Sequence, residues 1–136
     1  KRPKNKLVWI NAASVGELRS SIPLIKRLIK EDVSVLITTV TVTSAMHIQA
    51  ILKEIANKNV IHQFSPIDHP LFIKVFINHW KPSLLILIES EIWPNTIIKS
   101  YEKCIPLILL QLWSVGQFFD TLYTILIIYQ LRYSLI

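Results

Sequence analysis

The sequence predicts an α/β fold, a doubly wound parallel sheet of the Rossmann-like kind. Three observations predict it. Five short apolar runs recur along the chain, at Leu7–Ala12, Val33–Thr39, Val60–Phe64, Ser83–Ile88 and Ile105–Leu110. The best of them, such as Ser83–Ile88 (SLLILI), are continuously apolar, as strands covered on both faces must be. Helical patterns separate them, and strand starts recur every roughly 20–30 residues, the spacing of βα units. Strands alternating with helices imply parallel crossovers of one hand.

Each element has a local reason. Leu7–Ala12 (LVWINA) is long enough for one buried strand. Leu18, Ile22, Ile25 and Ile29 then recur at helical spacing. Pro23 lies inside that pattern and is expected to kink the helix or to mark an early turn. Val33–Thr39 (VSVLITT) is rich in β-branched residues and reads as strand two. A second helix spans Thr41–Asn57, with Thr41, Thr43 or Ser44 as its cap. Val60–Phe64 is the weakest strand. Asp68-His69-Pro70 reads as a helix start, a capping carboxylate followed by an early proline. Leu71, Phe72, Val75, Phe76 and His79 continue that helix on one face, and Pro82 stops it. Ser83–Ile88 is strand four. Glu89–Asn95 (ESEIWPN) turns into a fourth helix reaching about Lys103, and Ile105–Leu110 is strand five.

Composition excludes several classes. Apolar residues are 51% of the 136, enough for a sizeable core. Charged residues are only 18%, so some apolar surface is expected to face a partner or a membrane. A single cysteine, Cys104, excludes an internal disulfide and a paired-cysteine metal site. Two glycines argue against a glycine-rich phosphate loop. Of the net charge of +6, Lys1, Arg2, Lys4 and Lys6 supply four, leaving the rest of the chain near neutral. A nucleic-acid binder spreads its basic residues over a face, so nucleic acid is not an expected partner. The basic head is either a solvated terminus or a weak contact for anionic lipid. It leads straight into a strand, unlike a signal peptide, and the chain is expected to begin inside a longer reading frame. His47, His62, His69 and His79 lack the paired spacing of a zinc site.

In an open parallel sheet, ligands bind beyond the carboxyl ends of the strands where strand order reverses. In the usual order 3-2-1-4-5, strands one and four are neighbours there. The loop after strand one carries Glu17; the loop after strand four carries Glu89 and Glu91. Topology thus gathers three of the nine acidic residues around one crevice. Each has two readings. Ser14-x-x-Glu17 fits a capping box, and Glu89 and Glu91 fit first-turn acids favoured by the helix dipole. As a general base, Glu17 would need a neighbouring carboxylate to offset the helix N-terminus, which favours the ionised form. Thr38, Thr39, Thr41 and Thr43 cluster after strand two. They fit β propensity and capping as well as donation to sugar or phosphate oxygens. Trp9 and Trp93 read as core or rim aromatics.

Four segments carry a family resemblance: Ala13-Ser14-Val15-Gly16-Glu17, Thr38–Thr43 (TTVTVT), Pro66-Ile67-Asp68-His69-Pro70 and Glu89-Ser90-Glu91-Ile92-Trp93-Pro94-Asn95. In order and spacing they resemble the N-terminal, acceptor domain of the transferases of 3-deoxy-D-manno-octulosonic acid (Kdo), over about Leu7 to Leu110. The resemblance implies the N-terminal half of a GT-B glycosyltransferase, which moves Kdo from CMP-Kdo to a lipid A precursor (lipid IVA) in lipopolysaccharide core synthesis. It implies Glu17 as proton acceptor and Glu89 as transition-state stabiliser, with Ser14, Gly16 and Glu91 at the acceptor. It implies no metal and no cofactor beyond the donor CMP-Kdo, and a place at the cytoplasmic face of the bacterial inner membrane.

The chain departs from the family in places. Asn11 stands where histidine is usual, Ser44 replaces a usual glycine, and Gln111-Leu112-Trp113-Ser114 replaces an N-A-R-L-S type segment. The expected organisation is therefore a Rossmann-like domain at 7–110 and an atypical, poorly packed apolar tail at 111–136, without a donor-binding domain, as in a truncated product. The apolar stretch Thr121–Leu131 is too short to span a bilayer. The alternative is a catalytically inactive lipid-binding or membrane-peripheral remnant.

Overall fold

The computed structural model describes residues 1–88, 92–112 and 123–126. The apolar runs become strands because neither of their faces meets water. β1 (Leu7–Asn11), β2 (Ser34–Thr39) and β4 (Leu84–Ile88) are almost wholly buried. β3 (Val60–Phe64) is buried only at its start, as an outer strand with mixed composition should be. β5 (Leu107–Leu112) begins two residues later than the sequence suggests. The strand order is β3-β2-β1-β4-β5, all parallel, and β6 (Tyr123–Leu126) pairs antiparallel to β5. The remaining tail lies outside the described residues.

Helices α1 (Val15–Lys30), α2 (Val42–Ile55), α3 (Pro70–Trp80) and α4 (Pro94–Glu102) cover the two faces. Alternation along β1 divides the core. Val8 and Ile10 join Leu18, Ile25, Ile37 and Ile48 under α1 and α2. Leu7 and Trp9 join Leu36, Ile73, Ile77, Trp80 and Leu85 under α3 and α4. A fully buried side chain of this kind contributes about 1.5–3 kcal/mol. Pro23 sits inside α1 on its exposed side, where it removes one backbone donor without touching the core.

α3 buries a different face from the expected one. Its core residues are Ile73, Ile77 and Trp80, while Leu71, Phe72 and Val75 are exposed. Phe76 lies between the two sets, its ring centroid 4.8 Å from that of Trp9. The basic head is partly employed in the fold: Arg2 Nε donates to the Trp80 carbonyl at 2.7 Å, at the C-terminus of α3. A cation there satisfies an orphan carbonyl and suits the helix dipole. All four helix-to-strand returns pass through a left-handed residue, Asp32, Ala56, Lys81 and Cys104, with φ of 55°, 45°, 46° and 56°.

Candidate functional site

The strand order places the loops after β1 and β4 side by side at the carboxyl edge, because β1 pairs with both β2 and β4. α1 starts directly after β1. Ser14 is its N-cap, in extended conformation, and the Ser14 Oγ accepts from the Glu17 N–H at 3.2 Å. Half of the expected capping box is thus present. The reciprocal half differs: Glu17 Oε2 accepts from the Ala13 N–H at 2.7 Å, one residue beyond the cap. The Glu17 carboxylate is therefore held over the β1–α1 turn, and the residue is only 9% exposed. Gly16 occupies the same turn. Among the described residues, a Cβ there would meet only Ser14 Oγ, at 3.8 Å, which is ordinary contact. The fold itself leaves room at that position. Glu89 and Glu91, the other two carboxylates expected at this crevice, lie outside the described residues.

Directly beneath the turn lies a polar relay that the strand pattern does not announce. Trp9 Nε1 donates to Thr38 Oγ1 at 2.8 Å, and the Thr38 hydroxyl donates to Asn11 Oδ1 at 2.7 Å. Ser65, after β3, donates to the same Asn11 oxygen at 2.6 Å. Because an indole N–H can only donate, the threonine hydroxyl must pass its own proton onward. The relay ties the ends of β1 and β2 to the exit of β3. The one signal for it in the sequence was Asn11, a polar residue closing an apolar strand.

Of the two readings of the threonines, the structure favours strand and cap. Thr38 and Thr39 are fully buried, Thr39 Oγ1 lying 2.9 Å from His62 Nε2. Thr41 caps α2, its Oγ1 accepting from the Ser44 N–H at 3.1 Å. Of the four, only Thr43 is left to reach a ligand without first breaking a bond of the fold. Burial lowers the His62 pKa below its ordinary value, since a charged imidazole is poorly solvated there. Trp9 is a core residue, and Trp93 is half-buried.

The Asp68-His69-Pro70 start is also divided differently from the sequence reading. His69 caps α3, with Nδ1 accepting from the Leu71 N–H at 3.3 Å. Asp68 instead reaches α4. Its Oδ1 accepts from the Thr96 N–H at 2.8 Å and the Thr96 hydroxyl at 3.0 Å. Its Oδ2 accepts from the Asn95 N–H at 3.1 Å. Trp93, at the N-cap position of α4, makes no side-chain capping bond to that helix, and the cap is delivered from 27 residues away.

Beside α3 runs an apolar groove of about 670 Å³, lined by Pro66, Ile67, Phe72, Val75, Phe76 and Trp80. Among the described residues, no helix is long and apolar enough to cross a membrane.

Fold and edge together define a doubly wound α/β domain with a buried carboxylate at its switch point. A solved structure of precorrin-6y C5,15-methyltransferase from Geobacter metallireducens shares the fold alone, at a TM-score of 0.54 and 11% identity, over 82% of this chain and 56% of that one. Residues 1–111 match the family described as 3-deoxy-D-manno-octulosonic-acid transferase (kdotransferase). The chain belongs to that family. Among its relatives is a probable mitochondrial 3-deoxy-D-manno-octulosonic acid transferase of Arabidopsis thaliana, 40% identical over 80% of this chain and 24% of its own. Transferases of the same name from Rickettsia conorii and Haemophilus influenzae are 44% and 34% identical, over 73% and 79% of this chain and 21% and 25% of theirs. The chain thus spans about a quarter of the length of these curated relatives.

Proposed function

We propose that residues 7–110 form the acceptor half of a glycosyltransferase that moves Kdo from CMP-Kdo to a lipid A precursor, lipid IVA, in lipopolysaccharide synthesis. The donor nucleotide-sugar is bound by a second domain. Glu17 is the general base. It takes the proton of a glucosamine hydroxyl as that oxygen bonds to the anomeric carbon of Kdo. The bond from that carbon to the CMP phosphate oxygen breaks, and CMP leaves with the electron pair. Glu89 stabilises the transition state; Ser14, Gly16 and Glu91 receive the acceptor. The displacement needs neither metal nor redox cofactor.

The observation that carries this reading is the position of Glu17. It is a buried carboxylate held by the Ala13 N–H over the turn that follows the central strand. A group so held is pre-placed for proton transfer, worth 10²–10⁴-fold in rate. The room at Gly16 supports close approach of a sugar to the same turn.

The protein works at the cytoplasmic face of the bacterial inner membrane as a peripheral enzyme. Ile67, Leu71, Phe72 and Val75, all more than half exposed, support that placement, because exposed apolar clusters mark partner or membrane contacts. The same cluster favours a second reading, in which the chain binds lipid without catalysing transfer.

The test is a chimaera in which residues 1–111 replace the matching segment of the Rickettsia conorii relative. Transfer of labelled Kdo from CMP-Kdo to lipid IVA is expected. Glu17→Ala is expected to lower it by about 10²–10⁴-fold while stability falls by only about 0.5–2 kcal/mol, the worth of a cap. Near-normal turnover with a lower melting temperature would make Glu17 a capping residue and sink the assignment.

A further inference from the structure

Asn11 closes the central strand, between Thr38 of β2 and Leu87 of β4, and is only 6% exposed. The relay leaves its side-chain amide one orientation. The Trp9 indole can only donate, so Thr38 Oγ1 accepts from it and needs an acceptor for its own proton. Thr38 is fully buried, and Asn11 Oδ1 is that acceptor, at 2.7 Å. With the amide turned over, the threonine proton would face an NH₂ group. Ser65 holds the same orientation from the exit of β3. It donates to Oδ1 at 2.6 Å, while its own N–H is tied to the Thr39 carbonyl at 2.9 Å. The oxygen is doubly engaged, and the planar amide turns its NH₂ away from both hydroxyls. Among the described residues that NH₂ makes no hydrogen bond. It is not sealed in either: the enclosed polar side-chain atoms left without a partner there are the Ser34 and Ser100 hydroxyls. A donor group on an otherwise buried side chain, aimed by three other residues and unused by the fold, calls for a ligand.

We propose that Asn11 is a further substrate-binding residue, whose Nδ2 donates to a hydroxyl oxygen of the acceptor sugar. The inference rests on the proposed function for the identity of that sugar. The surroundings select a hydroxyl over a phosphate. The amide is uncharged, and Ala13, whose N–H holds the Glu17 carboxylate, is two residues further on, at most about 7 Å along the chain. An anion bound here would meet that carboxylate; a neutral hydroxyl is not repelled by it. Ser65 also lines the apolar groove beside α3, so open space adjoins the relay. Asn11→Asp separates binding from folding. The new carboxylate still accepts from Thr38 and Ser65, so the relay survives, but both N–H donors are gone.

In the chimaera, Asn11→Asp is expected to lower kcat/KM for lipid IVA by about tenfold, the upper worth of one hydrogen bond between neutral groups. KM for CMP-Kdo should stay within twofold, and the Trp9 Nε1–H should exchange with solvent as slowly as in the parent. The loss should be the same at every pH between about 6 and about 9. An unchanged kcat/KM would overturn the proposal. So would a loss that disappears as pH rises, because the added carboxylate would then act by keeping a proton on Glu17. If Asn11→Asp does not fold, the parent decides. In the 136-residue chain labelled with nitrogen-15 at asparagine, a glucosamine disaccharide is expected to shift the Asn11 NH₂ resonances. Those of Asn5 and Asn59, which both bond to Asp32 at the opposite rim, should stay in place. Asn11 resonances that do not move, that move no more than those two, or that move with inorganic phosphate and not with the disaccharide would overturn the proposal. An inactive parental chimaera would count against the proposed function, and the titration would then decide the role of Asn11 alone.

Discussion

Thr38→Val deletes the centre of the buried relay while keeping its shape. Its effect can be worked from three residues. The Trp9 indole N–H, on a side chain 1% exposed, loses its acceptor. A buried donor left unpaired costs about 1–3 kcal/mol. Asn11 Oδ1 loses one of two donors but keeps Ser65, a loss of about 1 kcal/mol. The added methyl returns up to about 0.8 kcal/mol through burial. The net destabilisation is about 1–3 kcal/mol. With a urea m-value of about 1–3 kcal/mol/M, the midpoint should fall by about 1 M at unchanged m. Thr38→Ser is the control: it keeps the hydroxyl, loses one methyl, and should cost about 0.5–1.5 kcal/mol, as Ile→Val does. The Trp9 Nε1–H resonance gives a second readout, exchanging faster with solvent in the valine variant only. A valine midpoint equal to the parent's, or Trp9 Nε1–H exchange that does not distinguish the valine variant from the serine one, would refute the relay.

Two other outcomes are expected. Burial lowers the His62 pKa, so below the ordinary histidine value near 6.5 the unfolded chain binds more protons than the folded one. Stability should therefore fall as pH drops from about 6.5 through the folded-state pKa and be unaffected by this group above it; His62→Gln should flatten that dependence in pH-stepped urea melts, and a parent already flat there would rule the coupling out. Paired Phe72→Ser and Val75→Ser changes on the exposed face of α3 should weaken co-sedimentation with anionic phospholipid vesicles while leaving the melting temperature within a few degrees, whereas unchanged sedimentation would move the membrane contact elsewhere.

The sheet was legible because β1, β2, β4 and β5 are apolar on both faces and separated by helical periods. Only a parallel, doubly covered sheet accommodates such runs. The face of α3 was not legible, for the opposite reason. Leu71, Phe72, Ile73, Val75, Phe76, Ile77 and Trp80 surround most of the helix, so 71/72/75/76/79 and 73/77/80 are equally good helical stripes. The choice was made by the sheet, where Trp9, Leu36 and Leu85 leave space for the second stripe. Asp68 was misread because a cap is sought among the residues next to a helix, and α4 takes its cap from another crossover. Glu17 was placed correctly at the β1–α1 turn, because the strand order that puts it there follows from the alternation of elements. The bond to the Ala13 N–H, in place of the expected one to Ser14, depends on the local path of the turn, which spacing does not specify.

The four left-handed residues at the helix-to-strand returns carry a consequence for engineering. None is glycine, and each holds a side chain where the backbone favours its absence, at about 1 kcal/mol apiece. All four sit at the amino ends of strands, the edge of the sheet opposite the Glu17 turn. Glycine at Ala56, Lys81 or Cys104 is thus a route to a hardier domain that never touches the reacting edge. Stability can thus be added at one rim of this sheet while the opposite rim, where the Glu17 turn lies, is left as it is.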